Sequence, residues 1–160
     1  MKLLYITDAG AETQALQLAQ MAQLAGHRVS VLTQGGVKRG AAVIGTVPVH
    51  AQARPEPVEI ERILDGERPD TLHLVRVSGA AAWLSAARAR ALPVAVTLCA
   101  GDELPDGIDG AVLVAAMDEA SRLDIMKKRH IPLRLIPHGQ ISIEEETFAY
   151  LAALLKAMER

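Results

Sequence analysis

The sequence predicts one α/β domain, three layers deep, with a mostly parallel sheet covered by helices on both faces. Short runs rich in Val, Leu and Ile alternate with helix-length segments, the pattern of parallel strands joined by crossover helices. The chain has 160 residues, the size of a single domain. Half of it is apolar (50%) but only 2% is aromatic, a composition suited to closely packed aliphatic layers.

The elements follow in order. Residues 3–7 read as a first buried strand, and 12–25 as a helix with Ala15, Leu18, Ala19 and Ala22 on one face and Gly26 at its left-handed end. Residues 29–33 form the second strand. The segment 34–57 carries Gly35, Gly36, Gly40, Gly45, Pro48, Pro55 and Pro57 and is the least regular, with a third strand expected at 43–50. A short helix is expected over 58–65, then a strand over 71–77 after the breaker Pro69-Asp70. Ser78 is positioned to cap an Ala-rich helix over 79–91, which Pro93 stops before a strand at 94–98. A buried strand at 110–116, a charged helix at 118–129 and a last strand at 133–136 complete a sheet of about seven strands.

Residues 142–160 form a terminal helix that packs back on the domain. Ser142 and Glu145 have capping-box spacing, and Phe148, Leu151, Leu154, Leu155 and Met158 share one face. With no internal repeat or linker, residues 1–160 read as a single Rossmann-like domain.

The formal charge of -2 argues against broad counterion-driven binding to nucleic acid, and four aromatic residues, Tyr5, Trp83, Phe148 and Tyr150, offer few stacking platforms for bases. Cys99 is the only cysteine, so no internal disulfide forms, and no Cys/His spacing matches a zinc site. No cofactor is expected. The first apolar run is too short for a signal-peptide core and no segment reaches membrane-spanning length, so the expectation is a soluble, cytoplasmic protein.

Residues 5–12 (Tyr-Ile-Thr-Asp-Ala-Gly-Ala-Glu), then Leu18-Ala19, then Gly26-His27-Arg28-Val29-Ser30-Val31-Leu32-Thr33, resemble the opening of retaining, family-4-like glycosyltransferases. Arg68-Pro69-Asp70-Thr71-Leu72-His73 resembles that family's Pro-Asp-x-x-His segment, 93–98 its Pro-Val-x-x-Thr strand, and Ile136-Pro137-His138-Gly139 its Ile-Pro-Asn-Gly exit. The motifs fall in the family's order over residues 2–139. The resemblance implies the acceptor-side, amino-terminal domain of a GT-B fold, in which two Rossmann-like domains face a cleft and the second holds the nucleotide-sugar. It further implies that 142–160 is the helix returning from a donor-binding domain that is missing between about Gly139 and Ser142. Two departures matter: Cys99-Ala100-Gly101-Asp102 stands where the family has a His-Asp pair, and the first loop has only Gly10 where two glycines are common.

Asp8, Gly10 and Glu12 sit at the handover from first strand to first helix, where open α/β sheets bind ligands and helix amides attract anions. A sugar or phosphate site is one reading; the other has Asp8 capping the helix and Gly10 making the turn. Neither dinucleotide nor P-loop glycine spacing is present. His73, inside an apolar strand, reads either as a cleft residue or, more commonly for a lone strand histidine, as a hydrogen-bonded core residue. Cys99 and Asp102, after a strand's carboxyl end, are further ligand candidates, with Cys99 as a small buried filler the competing reading. Lys127-Lys128-Arg129-His130 could give weak contact with anionic lipid, about 1 kcal/mol per charge, or could simply complement a helix carboxyl terminus.

The functional expectation is a lone acceptor-type domain, incomplete as a catalyst, acting with a donor-domain chain or a homodimer partner. The alternatives are a non-enzymatic sugar- or phosphate-binding module and a minimal folded unit with no biochemical role.

Overall fold

The structure, a computed structural model, describes residues 1–36, 39–99, 101–128, 134–135 and 143–159. Its elements in chain order are β1 (Lys2–Asp8), α1 (Glu12–Leu24), β2 (Arg28–Gln34), β3 (Gly40–Ile44), β4 (Val47–Gln52), α2 (Pro57–Glu67), β5 (Thr71–Val75), α3 (Ala80–Ala89), β6 (Val94–Leu98), β7 (Leu113–Ala116), α4 (Glu119–Lys128), β8 (Arg134–Leu135) and α5 (Ile143–Met158). The strands make one eight-stranded sheet in the order β3-β4-β2-β1-β5-β6-β7-β8. Every pairing is parallel except β3 with β4.

Successive strand residues point to opposite faces, and this alternation builds two cores. Leu4, Ile6, Leu72, Leu74, Val94 and Val96 pack with Ile60 and Leu64 of α2, Trp83, Leu84 and Ala87 of α3, and Ile125 of α4. Leu3, Tyr5, Val29, Val31, Val47 and Val49 face the other way, onto Ala15, Leu18, Ala19 and Ala22 of α1 and Tyr150 and Leu151 of α5. The three-layer arrangement is therefore α2-α3-α4, sheet, α1-α5. Alanines on α1 let that helix lie close to the strands.

The sheet has one strand more than expected because 43–50 is not a continuous strand. Gly45 and Thr46 form a two-residue turn, and Gly45 adopts φ +64°, a conformation that favours glycine. Gln23 of α1 pins this turn by donating to the Thr46 carbonyl at 3.0 Å. The strand expected from residue 110 begins only at Leu113, since Ile108–Gly110 form a 3-10 turn that buries Ile108.

Helix starts also differ in detail. Glu56 and Glu59 form a reciprocal capping box ahead of Pro57, an unpredicted device that opens α2. Ser78 does not cap α3; Gly79 holds the cap position at φ +72°, and the Ser78 side chain is used elsewhere. Asp118 does cap α4, accepting from the Ser121 amide at 2.7 Å, which holds its carboxyl below the ordinary range. The proposed Ser142–Glu145 box falls outside the described residues, because Ser142 is not among them.

The terminal helix docks with Leu151 of the expected face buried, but rotated so that other residues of that face are exposed. Tyr150 and Leu151 are buried against α1 and the sheet, whereas Phe148 is 53% and Leu155 45% exposed. Tyr150 is amphipathic: its ring packs against His73 and the sheet while its hydroxyl accepts from Thr97 of β6 at 3.0 Å, so it is buried with Leu151. An apolar-periodicity argument leaves Tyr150 out and therefore misplaces the face. Among the described residues no helix is long and apolar enough to cross a membrane.

Candidate functional site: a cleft at the switch point of the sheet

From β1 the chain steps outward to β2 and β4, then returns to the opposite side of β1 with β5. The loops leaving β1 and β5 thus diverge, and a crevice opens beyond the strands' carboxyl ends. A cleft of about 870 Å³ lies there, walled by residues 8–11 after β1, 76–81 after β5, and Leu98 with 101–106 after β6.

Asp8, the last residue of β1, is held rigidly. Its Oδ1 accepts from Gln34 Nε2 at 2.9 Å, and its Oδ2 accepts from the Ser78 amide at 2.9 Å and from the Ser78 hydroxyl. Gln34 is itself 1% exposed and bridges three groups, donating also to the Ser78 carbonyl at 2.9 Å and accepting from Trp83 Nε1 at 3.0 Å. Arg54 donates to the Ser78 hydroxyl at 2.5 Å from outside. Asp8 therefore does not cap α1, whose N-cap is Ala11 with no side-chain cap. It clamps the β1 and β5 loops together across the switch point.

Gly10 makes the β1–α1 turn at φ +91°, and its amide donates to Glu12 Oε2 at 2.8 Å. The chain's own carboxylate thus occupies the position where an anion could meet that amide. On the far wall, Asp102 Oδ2 accepts from the Cys99 amide at 2.7 Å and so shapes the β6 loop. Arg76, exposed on the cleft wall, has a left-handed backbone at φ +53° and makes no ion pair among the described residues.

The candidates from the sequence thus separate. Asp8, Gly10 and Asp102 line one cleft, with Glu12 bonded behind Gly10. Cys99 lies beside it and is half-buried; burial pushes its thiol pKa up, Arg76 opposes this, and Asp102 and Asp118 add to it. His73 is brought to a different place, the core between the sheet and α5. There its ring lies 5.3 Å from that of Tyr5 and 5.1 Å from that of Tyr150, and Nε2 is 2.8 Å from Thr97 Oγ1. Burial lowers its pKa to about 3, so it is neutral near pH 7.

Sequence reasoning missed Gln34, Arg76 and Ser78. Gln34 ends an apolar strand and carries no motif, and Ser78 was assigned to a cap. Of the basic cluster, the exposed Lys127 is described, whereas Arg129 and His130 lie outside the described residues. No group of three or more His, Cys, Asp or Glu residues suited to a metal occurs among the described residues.

No family model and no curated protein matches the sequence. Solved structures do match the fold. A sucrose-phosphate synthase chain from Thermosynechococcus elongatus aligns with TM-score 0.70 at 12% identity over 99% of this chain and 99% of that one. A glycosyltransferase from Rickettsia africae aligns at 0.64 and 13%, covering 96% of this chain and 49% of its own. UDP-GlcNAc 2-epimerase from Neisseria meningitidis, bound to UDP-GlcNAc, aligns at 0.63 and 13%, covering 99% and 53%.

The fold is one half of a GT-B fold. This chain spans about half the length of the glycosyltransferase and epimerase chains it matches. The cleft around Asp8 lies at the carboxyl ends of the strands, the position where open α/β sheets hold ligands. At these identities the likeness concerns the fold alone.

Proposed function

We propose that these 160 residues are the acceptor-side half of a glycosyltransferase-type catalyst whose donor-binding half is supplied from outside them. The observation that carries the reading is the one-sided cleft: every described residue lining it comes from the carboxyl end of a single sheet. Glycosyl transfer needs a second wall to hold the nucleotide leaving group and exclude water. Without it, the cleft can seat an acceptor but cannot assemble the reaction.

The chemistry of the wall favours a neutral, polyhydroxylated acceptor over a phosphate. Asp8, Asp102, Glu103 and Asp106 line it against Arg76, and Glu12 already takes the Gly10 amide. Carboxylates accept hydrogen bonds from sugar hydroxyls and repel anions. In this reading Asp8 and Asp102 are the acceptor-binding carboxylates, and Gln34 and Ser78 are positioning residues for Asp8.

The test has two parts. Sugar-nucleotide turnover is measured with the chain alone, its mass followed by light scattering, and then with a donor-binding half of a glycosyltransferase added. The reading expects no turnover alone, turnover on mixing, and loss of that turnover in Asp102→Asn. Turnover by a clean monomer overturns it, as does calorimetry in which UDP binds the isolated chain while neutral sugars give no heat.

A further inference from the structure

We infer that Arg76 is the specificity-determining residue of the cleft, and that the ligand it selects is a sugar acid, a polyhydroxylated molecule carrying one carboxylate. The inference rests on the acceptor reading above and narrows it. Hydroxyl groups of the ligand meet the carboxylates of the cleft, and its one charged group meets Arg76.

Arg76 follows the last residue of β5, and its amide donates to the Thr97 carbonyl at 3.2 Å, so the backbone is still tied to β6 where it turns. It turns through φ +53°, a left-handed conformation that a residue with a Cβ adopts at a cost. Strain of this kind persists only where the surrounding structure enforces it, and it gathers at ligand clamps. The fold gains nothing from the side chain in return. The guanidinium is exposed and makes no hydrogen bond or ion pair among the described residues.

Carboxylates line the same cleft, yet Arg76 pairs with none of them. Asp8 is held by Gln34 and Ser78, and Asp102 by the Cys99 amide, so both are fixed to their own loops. The cleft of about 870 Å³ therefore offers a ligand two kinds of group: a planar fork of N–H donors on Arg76, and acceptors on Asp8, Asp102, Glu103 and Asp106. A neutral sugar satisfies the acceptors and leaves the fork to water. Inorganic phosphate takes the fork but sets its charge against the carboxylates, with no ring of hydroxyls to offer them. A sugar acid answers both, its carboxylate accepting two parallel bonds from the guanidinium while its hydroxyls donate to the acidic groups.

Calorimetry on the whole chain tests this with glucose, glucuronate and inorganic phosphate as probes. Glucuronate is expected to bind about tenfold more tightly than glucose, and the margin to shrink as salt is raised. Arg76→Gly suits the left-handed backbone, so the variant keeps the parent's circular dichroism spectrum. It is expected to bind glucose within about twofold of the parent and to lose the preference for glucuronate. Arg76→Lys keeps the charge without the fork and is expected to retain part of that preference. Glucose bound by the parent as tightly as glucuronate overturns the inference and leaves the acceptor reading standing, whereas silence from both sugars overturns the two together. A preference that survives Arg76→Gly, or phosphate bound as tightly as glucuronate, also overturns the inference.

Discussion

Replacing Gln34 with Leu should destabilise the domain far more than a single polar substitution near a cleft normally does. Gln34 is 1% exposed and joins β2 to the β5 loop and α3 through its bonds to Asp8, the Ser78 carbonyl and Trp83 Nε1. Leu fills the same space, so cavity formation contributes little. The Trp83 indole N–H, on a residue 1% exposed, loses its acceptor and has no route to water. An orphaned buried donor costs about 1–3 kcal/mol, and each of the two bonds at the wetter Asp8 and Ser78 contributes about 0.5–1.5 kcal/mol. The expected loss is about 3 kcal/mol, a large share of the roughly 5–15 kcal/mol that holds a typical domain together. With an m-value of about 2 kcal/mol/M, the urea midpoint falls by about 1.5 M. Trp83 is the only tryptophan, so its fluorescence reports both the unfolding transition and the local change in the native state. A Gln34→Leu protein within about 1 kcal/mol of its parent would refute the claim that this side chain clamps the switch point.

Other outcomes follow from the same structure. His73 has a folded pKa of about 3, well below its ordinary value of 6.5, because burial disfavours its charged form. Between these values the unfolded chain binds the extra proton, so the stabilisation is complete above about pH 6.5 and is lost as pH falls toward 3, at about 1.4 kcal/mol per pH unit. Unfolding free energies from urea titrations at pH 7 and pH 5 should therefore differ by about 2 kcal/mol from this group, and His73→Phe should flatten that part of the slope. For the terminal helix, Leu151→Ala should cost about 2–4 kcal/mol by opening a cavity. Phe148→Ala on the exposed face should stay within about 0.5 kcal/mol, and equal losses in thermal unfolding would contradict the observed rotation. The Cys99 thiol, raised by burial, should react with iodoacetamide at pH 7.5 more slowly than glutathione does; faster reaction would mean that the native thiol is ionised and open.

The strands of the parallel core were legible because each is a short aliphatic run between breakers, and the local signals of Gly26, Pro69-Asp70 and Pro93 separate them. The hairpin was missed although Gly45-Thr46 between two apolar runs carries a two-residue turn signal, because the runs on either side are short enough to be read together as one strand. The tertiary structure adds the Gln23 contact to Thr46 and the pairing of β4 with β2, which fix where that turn sits. The candidate site was legible in part. Asp8, Gly10 and Asp102 end or follow strands, and strand ends are where an α/β sheet exposes chemistry. Gln34 and Ser78 gave no signal, since their roles depend on β2 and β5 flanking β1.

By itself, then, the sequence determined the alternating apolar periods, and through them the parallel α/β layers and their chain order. Periodicity is a property of neighbours along the chain. Tertiary structure alone decided which side of β1 each strand takes, which face of α5 is buried, and that His73 belongs to the core while Asp8 belongs to the cleft. Those outcomes depend on hydrogen bonds between residues far apart in sequence, such as Ser78 to Asp8 and Thr97 to Tyr150, and no local pattern encodes such partners.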